Sequence, residues 1–363
     1  MTYLDYQATT PLAPEALAAM LPWLERQHAN PHSAHREGRA ARAVVELARD
    51  RVAAMLPGRG SVSFTSGATE ALNWAIKGTA GPIVTLATEH AAVLDTVEAE
   101  RRGGRAVTIL PVGADGEVDL DLARQAIVPS TGLVAAMLVN NEIGVIQPIA
   151  ALADLAHEAG ALMLCDAVQG AGRVDIPDGC DMVALSAHKI HGPKGIGALW
   201  LRDGVSLEPL LHGGRQEAAG RSGTLSPALC AGFGAAASLM VDRHEQDDAH
   251  VAYLWETARA RLGGAWTVNG STAFRYRGNL NLRHEDLDVA RLMSDLRDIA
   301  FSAGSACASG SGRPSHVLRA IGLGDAEARS SIRLGFGRYT TEHELITAID
   351  RIVAATAAQR LAA

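Results

Sequence analysis

A mostly parallel α/β sheet with helices on both faces is predicted from two observations. Short apolar runs recur between residues 60 and 202, and helix-patterned stretches separate most of them, the alternation that builds parallel sheets. Several of these runs end in a polar cluster, and in a parallel sheet the ends of successive strands share the edge where ligands bind. The character changes near Asp242, where a charged helix (Arg243 to Leu262) leads into mixed strands and helices. Two domains are therefore expected: a large α/β domain over 13–242, and a smaller α+β domain made of 1–12 with 243–363.

Taken in order, Tyr3 to Tyr6 reads as a short strand, and Pro11 and Pro14 open the first helix. His28, His32 and His35 follow around Asn30-Pro31. Pro31 biases Asn30 out of helical geometry and would spoil a continuous ligand-bearing face, so a polar loop is expected there and no metal site. From Arg36 to Leu56 the apolar positions Ala40, Val44, Leu47, Ala48 and Val52 recur at helical spacing. The seven strand-like runs are Ser61–Thr65, Ile83–Ala87, Ala106–Leu110, Leu133–Val139, Ala161–Cys165, Met182–Ser186 and Ile196–Leu201. Ile149 to Ala159 and Glu342 to Leu361 are helical in pattern.

The 363 residues are 48% hydrophobic, enough for one large core and a second smaller one. A net charge of -7, with no basic run, argues against a nucleic-acid partner. The N-terminus lacks a basic and then apolar leader, and no apolar stretch is long enough to span a bilayer. Four cysteines without C-x-x-C spacing are too few to staple such a chain. A cytoplasmic protein that does not use a membrane is expected.

The chemistry centres on Ser186-Ala187-His188-Lys189-Ile190-His191-Gly192-Pro193-Lys194. Of 33 basic residues only three are lysines, Lys77, Lys189 and Lys194, and two fall in this window. Arginine can replace lysine for charge but not as an amine nucleophile. Other strand ends carry matching polar groups. Ser66-Gly67-Ala68-Thr69 opens a helix, where free N–H groups suit an anion, or where Ser66 or Thr69 simply caps. Asp166 ends an apolar strand, where a carboxylate needs a cationic partner such as a protonated pyridine, an arginine or a helix N-terminus. Gln169 can offer an amide to the same ligand. His90 could stack on an aromatic ring and move protons, or cap a helix. Asn140-Asn141 ends a further strand. An amine, a buried carboxylate, phosphate-seeking hydroxyls and an imidazole at one edge suit pyridoxal 5'-phosphate, with the lysine as its Schiff-base partner. Cys307 stands apart, in Ser302-Ala303-Gly304-Ser305-Ala306-Cys307-Ala308-Ser309-Gly310. No side chain there can pack, so an accessible nucleophilic thiol on a mobile arm is expected, against the plain reading of a linker containing cysteine. Cys165 and Cys230 read as inert core residues.

With these residues in view, the sequence resembles the cysteine desulfurases, a class-V branch of the fold-type I pyridoxal-phosphate enzymes, in the group with an extended mobile loop. The resemblance covers nearly the whole chain and rests on TSGATEALNWAIKG, NNEIGVIQP, DAVQGAG, SAHKIHGPKGIGALW, RSGT and GSACASG. It implies a seven-stranded sheet, Lys189 as the Schiff-base lysine, Asp166 at the pyridine nitrogen, and His90 stacked on the ring. Gln169 and Asn141 would contact the ring hydroxyl. Ala68, Thr69, Ser186 and His188 would hold the phosphate, with Thr224 supplied by the second subunit of a homodimer. Arg333 would clamp the substrate carboxylate, and Asn30 would touch substrate too. Cys307 would take sulfur from L-cysteine as a persulfide, release L-alanine, and hand the sulfur to acceptor proteins, an iron–sulfur scaffold among them. Some housekeeping members carry a longer tail for that scaffold, and this chain stops at Ala362-Ala363, so the acceptor is left open.

Two other classes share features of this sequence. A sister class-V enzyme, an aminotransferase or a selenocysteine or cysteine-sulfinate lyase, would keep Lys189 and Asp166 without needing a mobile thiol. A non-enzymatic sulfur carrier would not need Lys189 at all.

Overall fold

The computed structural model describes residues 1–303 and 314–361, so Cys307 and the rest of 304–313 lie outside the described residues. The predicted seven-stranded sheet is present. Its order is Gly60–Thr65, Gly197–Arg202, Met182–Ser186, Leu162–Asp166, Leu133–Met137, Ile83–Leu86 and Val107–Leu110. The last five run parallel. Gly197–Arg202 is antiparallel to both neighbours, which returns Gly60–Thr65 to the common direction. The C-terminal ends of every strand but Gly197–Arg202 therefore meet at one edge.

Each central strand buries both faces, and its residues divide by period two. Val134, Ala136, Met163, Cys165, Val183 and Leu185 join one buried cluster, with helices Arg36–Ala53, Ile149–Glu158 and Pro227–Asp242. Leu133, Ala135, Leu164, Met182 and Ala184 join the other, under helices Ala68–Lys77 and Ala91–Arg102. That two-sided burial explains the unbroken apolar runs.

Element ends shift from the predicted ones for visible reasons. The run Leu133–Val139 pairs only to Met137, opposite Asp166, the last residue of its neighbour. Leu138 then donates to the Asp166 carbonyl at 2.9 Å, and Val139 bridges Ile146 in a turn. The helix expected to reach Leu56 ends at Ala53, with tighter i to i+3 bonds closing its last turn. The histidine-rich loop supplies a cap: His35 Nδ1 accepts the Gly38 N–H at 3.2 Å.

Beyond Asp242, helix His244–Leu262 packs on Glu342–Leu361. Asn279–Arg283 pairs antiparallel with Ser331–Gly335 on one side and Thr267–Val268 on the other. The N-terminus joins this part. Thr2–Tyr3 pairs in parallel with Ile299–Ala300, and Asp5 bridges Gly335. The main buried cluster continues from the sheet into these elements, holding Phe64 and Val183 with Leu4, Trp255 and Leu345. Among the described residues, no helix is long and apolar enough to cross a membrane.

Candidate active site

The first side of the site is an anion cradle. Helix Ala68–Lys77 starts at Gly67, and among the described residues no side chain caps it, neither Ser66 nor Thr69. Ser66 instead donates its N–H to Glu70 Oε2 at 2.7 Å, and Arg221 grips the same carboxylate at 2.8 and 3.2 Å. The first-turn N–H groups are thus left to an outside acceptor. Gly197 pairs with Thr65 on one side and Ser186 on the other. A Cβ there would lie 2.5 Å from the Leu185 carbonyl oxygen and 2.7 Å from the Gly67 backbone, so only glycine lets these two turns meet.

The second side is acidic and buried. Asp166 Oδ1 accepts the Val168 N–H at 3.0 Å. Burial pushes this carboxyl above the usual range, while that bond and the charges of His90 and Lys189 pull it back. His90 is the N-cap of helix Ala91–Arg102: Nδ1 accepts the Ala92 N–H at 3.0 Å. His90 thus caps a helix, and it also lines the cavity. Accepting at Nδ1 puts the proton of the neutral ring on Nε2. Burial lowers the His90 pKa, against the pull of Asp166, so the neutral ring is favoured. Behind them Glu89 is wholly buried, with Oε1 on the Met137 N–H at 2.8 Å. Asn140 braces its turn through the Glu142 and Ile143 N–H groups and the Thr88 carbonyl. Asn141, next in sequence, lines the cavity.

The third side carries the amine. Lys189 ends a 3-10 turn, Ala187–Lys189, that follows strand Met182–Ser186 directly. Its Nζ donates to the carbonyls of Gln7 and Ala8 at 2.5 and 2.9 Å. The N-terminal segment is laced along this loop. Thr10 donates through N and Oγ1 to the His188 carbonyl, and Ala13 N donates to the His191 carbonyl. Thr9 Oγ1 lies 3.1 Å from His188 Nδ1. Burial first, then Lys189 and Lys194, lower the His188 pKa to about 4, so its ring is neutral near pH 7. Arg173 holds the loop from behind, donating to the carbonyls of Gln169 and Lys189.

These groups line one cavity of about 530 Å³. Ala68, Thr69, His90, Asn141, Asp166, Gln169, Ser186, His188, Lys189 and Arg333 all reach its wall. Asn30 does not: it is exposed, and its Oδ1 accepts the His32 N–H at 2.9 Å. Thr224 is exposed and outside the cavity as well. Cys307 lies outside the described residues. Sequence reasoning gave no part to Gln7, Ala8, Glu70, Arg173 or Asp5, and of these only Glu70 stood in a motif that it quoted, TSGATEALNWAIKG.

The residues fit pyridoxal phosphate. Gln169 spends Nε2 on the Gln7 carbonyl at 2.9 Å, and its buried Oε1 has no partner among the described residues, as an acceptor for a ring hydroxyl would. Asp166 is a 6% exposed carboxylate of the kind a pyridinium stabilises. The uncapped turn with Thr69, Ser186 and His188 beside it suits a dianionic phosphate.

Comparison with known proteins agrees. The profile of the class-V aminotransferases matches residues 2–347. The cysteine desulfurase IscS of Rickettsia felis is 42% identical over 96% of this chain and 90% of its own. A solved NifS-like protein from Rickettsia africae superposes with a TM-score of 0.90 at 29% identity, covering 98% of this chain and 99% of that one. SspA, solved in complex with cysteine, gives 0.84 at 35% identity, covering 94% and 100%. The chain belongs to the class-V aminotransferase family, of fold-type I. Within it the activity is that of the pyridoxal-phosphate-dependent cysteine desulfurases, transferases of sulfur.

Proposed function

We propose that the protein draws the sulfur of L-cysteine onto Cys307 as a persulfide and releases L-alanine. It then passes that sulfur to acceptor proteins, an iron–sulfur scaffold among them, as a cytoplasmic homodimer. The observation that carries this reading is the meeting of an amine, a buried carboxylate, an imidazole and an arginine around one cavity.

Bound here, pyridoxal phosphate supplies an electron sink for the carbanion at the substrate Cα. Lys189 would hold the cofactor and, once released, take the Cα proton. Asp166 would hold the pyridine nitrogen protonated. Asn141 and Gln169 would meet the ring hydroxyl. Ala68, Thr69, Ser186 and His188 would hold the phosphate, with Thr224 reaching in from the second subunit. His90, neutral with its proton on Nε2, would stack on the ring and exchange protons with substrate. Arg333 would take the substrate carboxylate, with Asn30 as a further contact. The Cys307 thiolate would attack the substrate sulfur, breaking its bond to Cβ and leaving with the sulfur atom. The relative SspA, solved with cysteine, supports the substrate. The iron–sulfur outlet fits the likeness to the IscS relatives, and the homodimer rests on the family resemblance of the sequence. A large domain over 13–242 and a small one of 1–12 with 243–363 belong to the same reading, supported by the pairing of Thr2–Tyr3 with Ile299–Ala300.

The test is mass spectrometry of the holoenzyme after incubation with L-cysteine. One added sulfur on Cys307 for each alanine released is expected, and Cys307→Ala should abolish transfer to acceptors. A Cys307→Ala variant that still delivers sulfur at the wild-type rate overturns the proposal and favours a sister lyase.

A further inference from the structure

Arg333 is wholly buried at the cavity wall, and its five N–H donors can be counted. Nη2 donates to Asp5 Oδ1 at 2.8 Å and to Ser302 Oγ at 3.2 Å, which uses both of its hydrogens. Nη1 donates to the Asn141 carbonyl at 3.1 Å. The Nε–H has no partner among the described residues. A guanidinium grips a carboxylate along one of two edges, Nε with Nη2 or Nη1 with Nη2. Both edges include Nη2. An incoming carboxylate therefore finds no complete edge unless Asp5 or Ser302 gives way.

We propose that Asp5 is an internal competitor for Arg333, a carboxylate of the chain that the substrate carboxylate displaces on binding. The proposal rests on the reading of Arg333 as the substrate's anchor. Two further observations favour Asp5 as the group that moves. Its side chain is 18% exposed against 1% for Arg333, so it has a path to water that the arginine lacks. A second carboxylate on the same buried guanidinium would also repel Asp5 at close range. Ser302 is tied on both sides, by paired backbone bonds to Arg333 at 2.8 and 3.2 Å and by its hydroxyl to Asp5 at 2.9 Å. Asp5 thus sets how tightly amino acids are held, and it acts through Arg333 as a positioning residue.

The experiment compares wild-type holoenzyme with Asp5→Asn, using L-cysteine kinetics and equilibrium binding of L-alanine by calorimetry. Asp5→Asn should lower KM for L-cysteine and Kd for L-alanine by about three- to tenfold. The effect should fall on KM rather than kcat. L-Cysteine methyl ester, which lacks the carboxylate, should show no such gain. Ser302→Ala frees the other Nη2 hydrogen without changing charge and should shift L-alanine binding the same way, by less. Unchanged or weaker L-alanine binding in both variants overturns the competition, as does an equal gain for the methyl ester. Arg333→Lys separates the two ideas. If it weakens L-alanine binding while Asp5→Asn does not strengthen it, only the competition fails. If it leaves L-alanine binding unchanged, the reading of Arg333 as anchor fails with it.

Discussion

Glu89 puts a carboxyl where water does not reach. One oxygen holds the Met137 N–H at 2.8 Å, and Oε2 has no partner among the described residues. Burial first, then the charge of Asp166, push its pKa well above the ordinary range, which favours the neutral acid. Met137 is the cross-strand partner of Asp166, so Glu89 pins the strand end beside that carboxylate. A protonated Glu89 spares Asp166 a second buried negative charge beside it. Glu89→Gln, neutral and of the same shape, should therefore stay within ~1 kcal/mol of wild type, whereas Glu89→Ala strands a buried N–H at ~1–3 kcal/mol. Urea denaturation of the two variants checks this, and equal losses would rule out the protonated form.

At the scale of elements, the antiparallel strand Gly197–Arg202 decides how the cradle closes. It is wedged between Gly60–Thr65 and Met182–Ser186, so the turns carrying Gly67 and His188 leave from either side of Gly197. A methyl at position 197 would meet three backbone atoms at 2.5 to 2.7 Å, none of which can swing aside. Gly197→Ala is expected to cost ~1–3 kcal/mol, the range of overpacking in a tight core. It should also weaken cofactor retention on gel filtration, because the two turns must part. A variant as stable as wild type that keeps its cofactor would show that the turns can yield. A second brace acts on the long connection 203–226. There the buried Glu217 takes the Phe64 N–H at 3.2 Å and pairs with Arg49 at 2.7 Å.

For the whole molecule, the N-terminal segment works as a strap, and its buried histidines make that strap sensitive to acid. His191 N donates to Thr10 Oγ1 at 2.7 Å, and its Nδ1 donates to the Pro11 carbonyl at 3.0 Å. Burial, with Arg173 and Arg338 nearby, lowers its pKa from 6.5 to about 3. His188 is lowered to about 4. An unfolded chain takes up these protons from about pH 6.5 downward while the folded one does not, so stability is complete above that pH and falls as pH drops toward 4. One such group contributes a slope of at most about 1.4 kcal/mol per pH unit. His191 has φ of 67°, a left-handed conformation that asparagine tolerates. His191→Asn should therefore flatten the fall in stability between pH 6.5 and 4 relative to wild type. Parallel slopes for the two proteins in urea titrations across that range would refute it.

Sequence by itself determined the strands of the sheet, because two-sided burial is written locally as unbroken apolar runs such as Leu133–Met137 and Met182–Ser186. It also determined the polar groups at the strand ends, Asp166 and Lys189 among them, since a charge that directly follows an apolar strand is visible in a few residues. Only the tertiary structure decided what those groups rest on. Lys189 reaches carbonyls 181 and 182 residues away, and Arg333 meets Asp5 across 328. No local pattern announces such contacts, because they exist only once the sheet order has brought the N-terminal segment to the lysine loop. The cap at Gly67 belongs to the same class, since Ser66 is drawn to a glutamate that Arg221 holds from 151 residues away. Propensity and periodicity act over one or two turns of chain, whereas the partner of a buried charge is chosen by assembly.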